Sequence, residues 1–348
     1  MNGIAMNGPA ITWMTGSLSR LGLGGLYVRP ALAVFVFAVL LLFAPSPALA
    51  GSCCGGGGGA ALVLPKTGDW MMDLSFDMEV YDGYWNREGK ILPDPPGSDL
   101  RQYRLNLGYG KRIADRWQIS AVLPMVRNEN FYENSRTTST GPGDTTLTLL
   151  YETFDVVTCV WSVETLEDLI PAAYLGLGLT LPTGVSPFDE ASRSFDVTGR
   201  GFYRLDASAS VEKTIWPWTV AMAYSYGIHF ERPVNREYGH WVEPYNKKLG
   251  DRRSFSLSGG YTYFMESDDT ITLTISYSDL WEGVAVIDGE PDPATGLRKR
   301  SVSAVVAFAN MDKSFMTKLG YSQAVKQDDW GENFPITDIV TAGVTYVF

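Results

Sequence analysis

Two histidines are the side chains of this sequence whose ordinary pKa lies closest to neutral pH. His229 precedes Phe230 and Glu231, and His240 precedes Trp241. A catalytic histidine needs a nucleophile within hydrogen-bond reach, and no recognisable nucleophile motif accompanies either one. No Cys/His spacing suits zinc, and no acidic loop matches a calcium hand. The sequence therefore predicts satisfied or solvated histidines, no cofactor and no metal, and an outer-membrane hydrolase is the least favoured alternative.

The three cysteines lie in two places. Cys53 and Cys54 are adjacent in "GSCCGGGGGAA", and Cys159 lies in a link at 153–170. If a leader is cleaved after Ala50, all three reach the periplasm, where disulfides persist. Three states remain open, which are a disulfide from Cys159 to Cys53 or Cys54, lipidation near the cleavage site, and free thiols.

Charged side chains recur at every second position of many short segments. In "MDLSFDMEV", apolar residues alternate with Asp73, Asp77 and Glu79. A period of two is typical of a strand with one apolar and one polar face. Twelve segments have this period, at 72–80, 102–110, 117–124, 144–152, 173–181, 203–212, 218–227, 254–263, 270–278, 301–308, 315–322 and 338–348.

Composition and the first fifty residues indicate the compartment. The 348 residues carry a formal net charge of −11, which argues against nucleic acid as a partner. An apolar run at 31–44 follows Arg20 and Arg29 and ends in small residues up to Ala50. The run is too short to span a bilayer, which takes about 20 apolar residues. Residues 1–50 are therefore predicted to be a secretory signal peptide.

The links between the predicted strands alternate in length, with long polar links such as 230–252 and short ones such as 264–269. Even strand number and alternating links are typical of bacterial outer-membrane barrels. A closed barrel leaves no free sheet edge in lipid. We therefore predict an all-β protein, a transmembrane antiparallel β-barrel of about twelve strands at 70–348, with short periplasmic turns, long extracellular loops and a Gly-rich periplasmic leader at 51–69. A secreted β-sandwich also alternates, but it does not explain aromatic residues at strand ends.

The last predicted strand, "VTAGVTYVF", places Tyr346 and Phe348 on its apolar side. Closure of the barrel requires this strand to pair with the first one. Its terminal aromatic residue also resembles the signature that the barrel assembly machinery recognises. We expect Tyr346 and Phe348 to act as an assembly signal in the outer membrane.

Three segments together resemble the outer-membrane transporter family named for the meta-pathway of phenol degradation. They are "YGKRIADRWQISAVLPM", "GPGDTTLTLLY" and "LGLGLTLPTG", with motifs at 123–125, 141–144 and 181–184. The resemblance covers roughly 100–200 and implies a barrel that passes hydrophobic or aromatic compounds. The Gly and Pro residues of the last two motifs also fit plain turn chemistry.

The polar positions of the predicted strands supply candidate lumen-lining residues. They are Asp73, Asp77, Glu79, Arg104, Glu152, Arg204, Asp206, Glu212 and Lys318. Such charges either fill a narrow barrel as pairs or line a solute path, and the sequence leaves both open. A constriction would come from the leader or from a loop at 182–200, with Pro182, Thr183 and Phe188 as candidates.

Basic residues cluster where long loops re-enter strands. They are Lys247, Lys248, Arg252, Arg253, Arg298, Lys299 and Arg300. Cations at this height could contact lipopolysaccharide phosphates, and solvated loop charge is the slightly favoured alternative. The predicted function is a passive outer-membrane channel or transporter for a small, hydrophobic or aromatic solute. The alternative is a structural or adhesive outer-membrane barrel whose loops bind partners.

Overall fold

The protein is described from a computed structural model, which covers residues 62–66, 68–132, 135–154, 159–189, 191, 193 and 196–348. The predicted signal peptide at 1–50 lies outside these residues, as do Cys53 and Cys54. The described part is almost entirely β-structure, with one short 3-10 helix at Leu166–Leu169. No helix among these residues is long and apolar enough to cross a membrane.

Twelve strands form one closed antiparallel barrel. They are β1 (Trp70–Trp85), β2 (Asp99–Ala114), β3 (Trp117–Tyr132), β4 (Thr145–Glu152), β5 (Ala172–Leu181), β6 (Arg204–Ile215), β7 (Trp218–His229), β8 (Arg252–Phe264), β9 (Thr270–Glu282), β10 (Leu297–Ala309), β11 (Phe315–Ala324) and β12 (Phe334–Val347). Each strand pairs with its neighbours in the chain, and β12 pairs with β1. The predicted fold class and the twelve predicted strands are confirmed.

The alternation of the sequence explains the two surfaces of the barrel wall. Along β1, Met72, Leu74 and Phe76 are exposed on the outer face, whereas Asp73 and Glu79 are buried inside. The outer face therefore offers apolar side chains to lipid, while the inner face is polar. Pairing of β1 with β12 continues to Met71 and Val347, so the last strand forms the seam of the barrel.

The two ends of the barrel differ. At one end, which we call the short-turn end, tight turns join β2 to β3 and β6 to β7. The segment between β4 and β5 is the long exception that the sequence indicated. The other end, which we call the long-loop end, carries further short strands at Ile91–Leu92, Ser135–Pro142, Arg232–Glu237, His240–Lys248, Ala285–Ile287, Glu290–Asp292 and Gly331–Glu332.

Four of these loop strands, between 232 and 292, form a separate small sheet. The sequence predicts polar links here. Tyr238-Gly239 and Asp288-Gly289 have positive φ at both positions, which is the conformation of a tight two-residue hairpin turn. The "DG" pair at 288–289 was therefore a hairpin signal that the sequence analysis missed.

Candidate functional site

All nine predicted lumen-lining residues lie on inward-facing strand positions. Several of them bind one another across the wall. Arg104 Nη2 lies 2.7 Å from Glu79 Oε2, and Lys318 Nζ lies 3.5 Å from Asp73 Oδ1. The lumen charges of this region are thus used as structural pairs, and their contribution to a solute path stays a prediction.

A dense polar network covers the lumen wall around the seam. Asp77 accepts hydrogen bonds from Asn106 Nδ2 at 2.9 Å and from Thr341 Oγ1 at 2.7 Å. Thr345 Oγ1 donates to Asp73 at 2.5 Å. These contacts join β1, β2 and β12, so this half of the lumen is filled by side chains that bind one another.

The opposite half of the wall, on β6 to β9, has small inward-facing side chains at mid-height. They are Ser208, Ser210, Ala221, Ala223, Ser225, Ser254, Ser256, Ser258, Gly260, Thr272, Thr274 and Ser276. Side chains of this size cannot fill a barrel of twelve strands, because barrels of about eight strands are already filled by ordinary ones. Among the described residues, the side chains on this hydroxyl-lined side therefore leave part of the lumen unfilled, which is space for water or a small solute.

Residues 62–66, which we call the N-terminal insert, lie inside the barrel at the short-turn end. Leu64 is 1% exposed and packs with Met71 and Val347. A Cβ built on the inward-facing Gly110 would lie 3.0 Å from Leu64 Cδ1. A side chain at this position would have to displace the ends of Leu64 and Met71, so the insert lies close to the backbone of β2. Residues 62–66 of the leader predicted at 51–69 thus occupy part of the lumen at this end.

Polar contacts with Glu152 hold the N-terminal insert. Lys66 Nζ lies 2.7 Å from the Glu152 carboxylate, and Arg112 Nη1 lies 2.9 Å from it. Gln118 donates to the same carboxylate and accepts a 2.8 Å hydrogen bond from Leu64 N. Glu152 is 1% exposed, so its charge is balanced by these partners within the lumen.

The loop at 182–203, which we call the loop insert, crosses the lumen at the long-loop end. Asn128 Nδ2, on β3, donates to Val197 O at 2.9 Å. Arg200 binds Glu282, on β9, through two hydrogen bonds of 2.5 and 2.6 Å. Strands β3 and β9 are six positions apart in a ring of twelve. The loop insert is therefore fixed to opposite walls.

The neck of the loop insert joins two of the sequence motifs. Thr183 Oγ1 donates to Gly143 O at 2.6 Å. Asp144 accepts hydrogen bonds from Gly184 N at 3.1 Å and from Arg200 N at 2.7 Å. A Cβ on Gly184 would lie 2.6 Å from Gly199 Cα. The two chain segments that form the neck are therefore too close at Gly184 and Gly199 for either residue to carry a side chain. The motifs at 141–144 and 181–184 thus have a structural role here.

Of the predicted constriction residues, Pro182 and Thr183 lie at the neck and Phe188 lies under the small sheet. The Phe188 ring packs edge-on against Phe202 at 5.4 Å, between Arg232 Cζ at 5.2 Å and Lys247 Nζ at 5.3 Å. These cation–π contacts hold the tip of the loop insert to the small sheet. Lys247 accordingly faces Phe188.

A tyrosine and a glutamate stabilise the small sheet itself. Tyr245 Oη donates to Glu237 across the hairpin. Burial and this hydrogen bond to a carboxylate raise the pKa of Tyr245. The phenol therefore stays protonated, and the contact persists, throughout the physiological pH range.

The predicted basic residues divide between the two faces of the wall, because neighbouring positions of a strand point in opposite directions. Arg252 and Lys299 point into the lumen, which corrects their prediction as lipopolysaccharide contacts. Lys299 Nζ donates to Thr337 Oγ1 at 2.5 Å and lies 3.9 Å from Glu79. The outer wall carries Arg253, Arg298 and Arg300.

On that outer wall, Arg253 Cζ lies 4.7 Å from the centre of the Trp281 ring. Arg298 and Arg300 both bind Asp279, at 2.5 and 3.3 Å. The three arginines thus lie at the height of an aromatic residue at the long-loop end, and contact with lipopolysaccharide stays a prediction. Lys248 lies in the small sheet, beside Val286.

The remaining candidates fall at the ends of the barrel. Cys159 is in a disulfide bond, and because the other two cysteines lie outside the described residues, its pairing stays a prediction. His229 is buried and its Nδ1 lies 2.8 Å from Gly250 O, whereas His240 is exposed in the small sheet. No group of three or more metal-ligating side chains occurs among the described residues.

These features define a closed antiparallel β-barrel of the outer-membrane type, with a polar lumen narrowed from both ends. The crystal structure of an outer membrane channel from Pseudomonas putida F1 matches with a TM-score of 0.63 and 15% identity, over 85% of this chain and 100% of that one. At this identity the likeness shows the fold. No family model matches the sequence, and no curated protein matches it.

Two further solved barrels are similar at lower scores. The β domain of the Bordetella autotransporter BrkA has a TM-score of 0.46 and 12% identity, covering 81% of this chain and 100% of that one. The Pseudomonas putida toluene transporter TodX has a TM-score of 0.37 and 11% identity, covering 81% and 89%. Scores below 0.5 are too low to define a common fold.

Proposed function

We propose that the protein is a passive channel for small solutes in the bacterial outer membrane. The observation that carries this proposal is the hydroxyl-lined wall of β6 to β9, which leaves space between the two inserts. A barrel that served only as a membrane anchor would need no such space. The likeness to a solved outer membrane channel supports the same architecture, and we place the long-loop end outside the cell.

A passive mechanism requires only that the two inserts yield to a solute. Each insert is held by side-chain contacts with the wall, among them those of Lys66 and Gln118 at one end and of Arg200 at the other. The wall behind them is a continuous hydrogen-bonded barrel. Diffusion along a fixed wall with movable inserts is the simplest transport that this arrangement supports.

The solute class is narrower than "small molecules". The family resemblance of the sequence favours hydrophobic or aromatic compounds, whereas the open half of the lumen is lined by hydroxyl groups. A solute that has an aromatic ring and one polar group satisfies both. We therefore propose small aromatic compounds with a hydroxyl or carboxylate group.

Flux into proteoliposomes tests the function. Protein with the loop insert intact is compared with a variant that lacks 185–198, which joins Gly184 to Gly199, two residues already in contact. We expect uptake of radiolabelled benzoate above that of protein-free vesicles, and faster uptake in the deletion variant. Vesicles with folded protein that are no more permeable than empty ones, before or after the deletion, would contradict a channel.

One observation favours the second candidate function, a partner-binding barrel. Trp241 in the small sheet is 79% exposed, and exposed tryptophans are frequent anchors of protein interfaces. Adhesion of cells that carry Trp241→Ala, compared with wild-type cells, tests this candidate. Equal adhesion would remove it.

A further inference from the structure

Arg252 lies in the lumen in a row of charged residues that crosses four strands. It pairs in the strand ladder with Gly227 on β7 and with Glu282 on β9. Gly227 in turn pairs with Asp206 on β6. Side chains that are paired in this way point to the same face and lie roughly 5 Å apart. Asp206, Arg252 and Glu282 therefore share one level of the inner wall.

The two other arginines at this level are already neutralised. Arg200 binds Glu282 through both ends of its guanidinium group, and Arg204 Nε lies 2.9 Å from Asp206. A Cβ on Gly227 would lie 2.3 Å from Asp206 Oδ1, so the Arg204–Asp206 pair lies over this glycine. Both carboxylates next to Arg252 are thus engaged by other cations.

Arg252 makes neither an ion pair nor a hydrogen bond with any residue that the structure describes. Repulsion from Arg204 and Arg200 acts on it together with the attraction of Glu282 and Asp206, so three arginines share two carboxylates at this level. The Asp144 carboxylate is engaged in the loop neck, where it binds the backbone N–H groups of Gly184 and Arg200. A guanidinium group cannot lose its proton in a protein, and a charge without a partner in a partly buried site is costly. An anion from solution would remove this cost.

The surroundings of Arg252 indicate which anion fits. Ser254 follows on the same face of β8 and shares a 2.9 Å hydrogen bond with Ser225. A guanidinium group binds a carboxylate through two parallel hydrogen bonds, and neighbouring hydroxyl groups can donate to it. At this level of the lumen, Arg252 is the one cation among the described residues that has no ion pair, which matches a singly charged ligand. We propose that Arg252 forms a binding site for small carboxylates in the lumen, which rests on the proposed channel function for its role as a step on the solute path.

Binding in detergent solution tests the site without any transport. Titration calorimetry with sodium acetate, sodium benzoate and inorganic phosphate, at fixed ionic strength, compares wild type with Arg252→Gln and Arg252→Lys. Arg101→Gln is the control, because Arg101 is an exposed arginine near the same end of the barrel, paired with Asp99. Heat-modifiable migration verifies that each variant is folded.

We expect saturable binding of both carboxylates, and a loss of about tenfold or more in affinity in Arg252→Gln. Arg252→Lys keeps the positive charge but loses the two parallel hydrogen bonds of a guanidinium group, so its affinity should lie between those of wild type and Arg252→Gln. The affinity of Arg101→Gln should match that of wild type. Wild-type protein without saturable binding, an unchanged affinity in folded Arg252→Gln, or phosphate bound as tightly as acetate would overturn the proposal. Protein that binds carboxylates but shows no flux would contradict the channel and leave the site intact.

Discussion

Arg200 and Glu282 bind each other across the mouth of the barrel, through two hydrogen bonds of 2.5 and 2.6 Å. Arg200 belongs to the loop insert, and Glu282 ends β9 on the inner wall. Only 4% of the Glu282 side chain is exposed. Because the loop begins after β5 and is also bound to β3, this pair fixes its far side and keeps it across the lumen.

Arg200→Gln should release the far side of the loop insert. The variant loses both hydrogen bonds from the guanidinium group to the buried Glu282 carboxylate, while Arg252 on β8 stays beside this carboxylate as a neighbouring cation. We expect a larger mean conductance in planar bilayers than in wild-type protein. Arg193→Gln is the control, since Arg193 lies in the same loop but bonds only to Ser135 Oγ among the contacts described. Equal conductance in the two variants would show that the pair does not hold the loop.

Lys66→Met should loosen the N-terminal insert, because Lys66 connects this segment to the buried Glu152. Arg112 and Gln118 still bind Glu152 in this variant, so the barrel itself should stay folded. We expect faster cleavage of the leader by added protease and a higher conductance. Lys90→Met serves as the control, because Lys90 pairs with Asp328 in exposed loops. A leader that is as resistant as in wild type would contradict the assigned role of Lys66.

Deletion of Phe348 should impair assembly of the barrel. The Phe348 ring stacks on Trp70 with 3.5 Å between ring centres, and Phe348 N donates to Trp70 O at 2.8 Å. Tyr346 packs against the same ring. Phe348→Tyr keeps an aromatic ring and should assemble normally. The measurement is the fraction of heat-modifiable, membrane-inserted protein, and normal insertion of the deletion variant would refute the predicted assembly signal.

Combined neutralisation of Arg253, Arg298 and Arg300 to glutamine should reduce the lipopolysaccharide that copurifies with the protein. All three lie on the outer wall, where cations attract anionic lipid groups. The same substitution at Lys90 in an exposed loop is the control. Undiminished lipopolysaccharide in the triple variant would contradict this role. The arginines would then act only through their contacts with Asp279 and with aromatic rings.

The sequence predicts the strands of this protein well because each strand separates two different environments. Alternation along "MDLSFDMEV" alone assigns Asp73 to the lumen and Leu74 to lipid. The same rule separates Arg252 from Arg253, and the prediction of Arg252 as an outer contact does not fit its inward position because it treated a loop cluster as one surface. Strict alternation along β8 assigns Arg252 to the lumen and Arg253 to the outer wall.

The inserts were harder to predict. The position of Leu64 depends on Gly110 and Gln118, which are distant in the sequence, and a glycine in a strand gives no sign of what lies over it. The partners of Arg200 and Phe188 are likewise set by the closed barrel. The motifs at 141–144 and 181–184 were visible in the sequence, but their contact with each other follows only from the fold.

Chemical modification of the hydroxyl-lined wall of β6 to β9 tests most directly whether solutes pass along this wall. The measurement is the single-channel conductance of the 185–198 deletion variant carrying either Ser256→Cys, inside the lumen, or Leu257→Cys, on the outer wall. Conductance is recorded before and after a bulky, water-soluble methanethiosulfonate reagent, with the deletion variant alone as the background. We predict a lower conductance after modification at 256 and no change at 257. A conductance that is unaffected at 256, or reduced equally at both positions, would contradict the path.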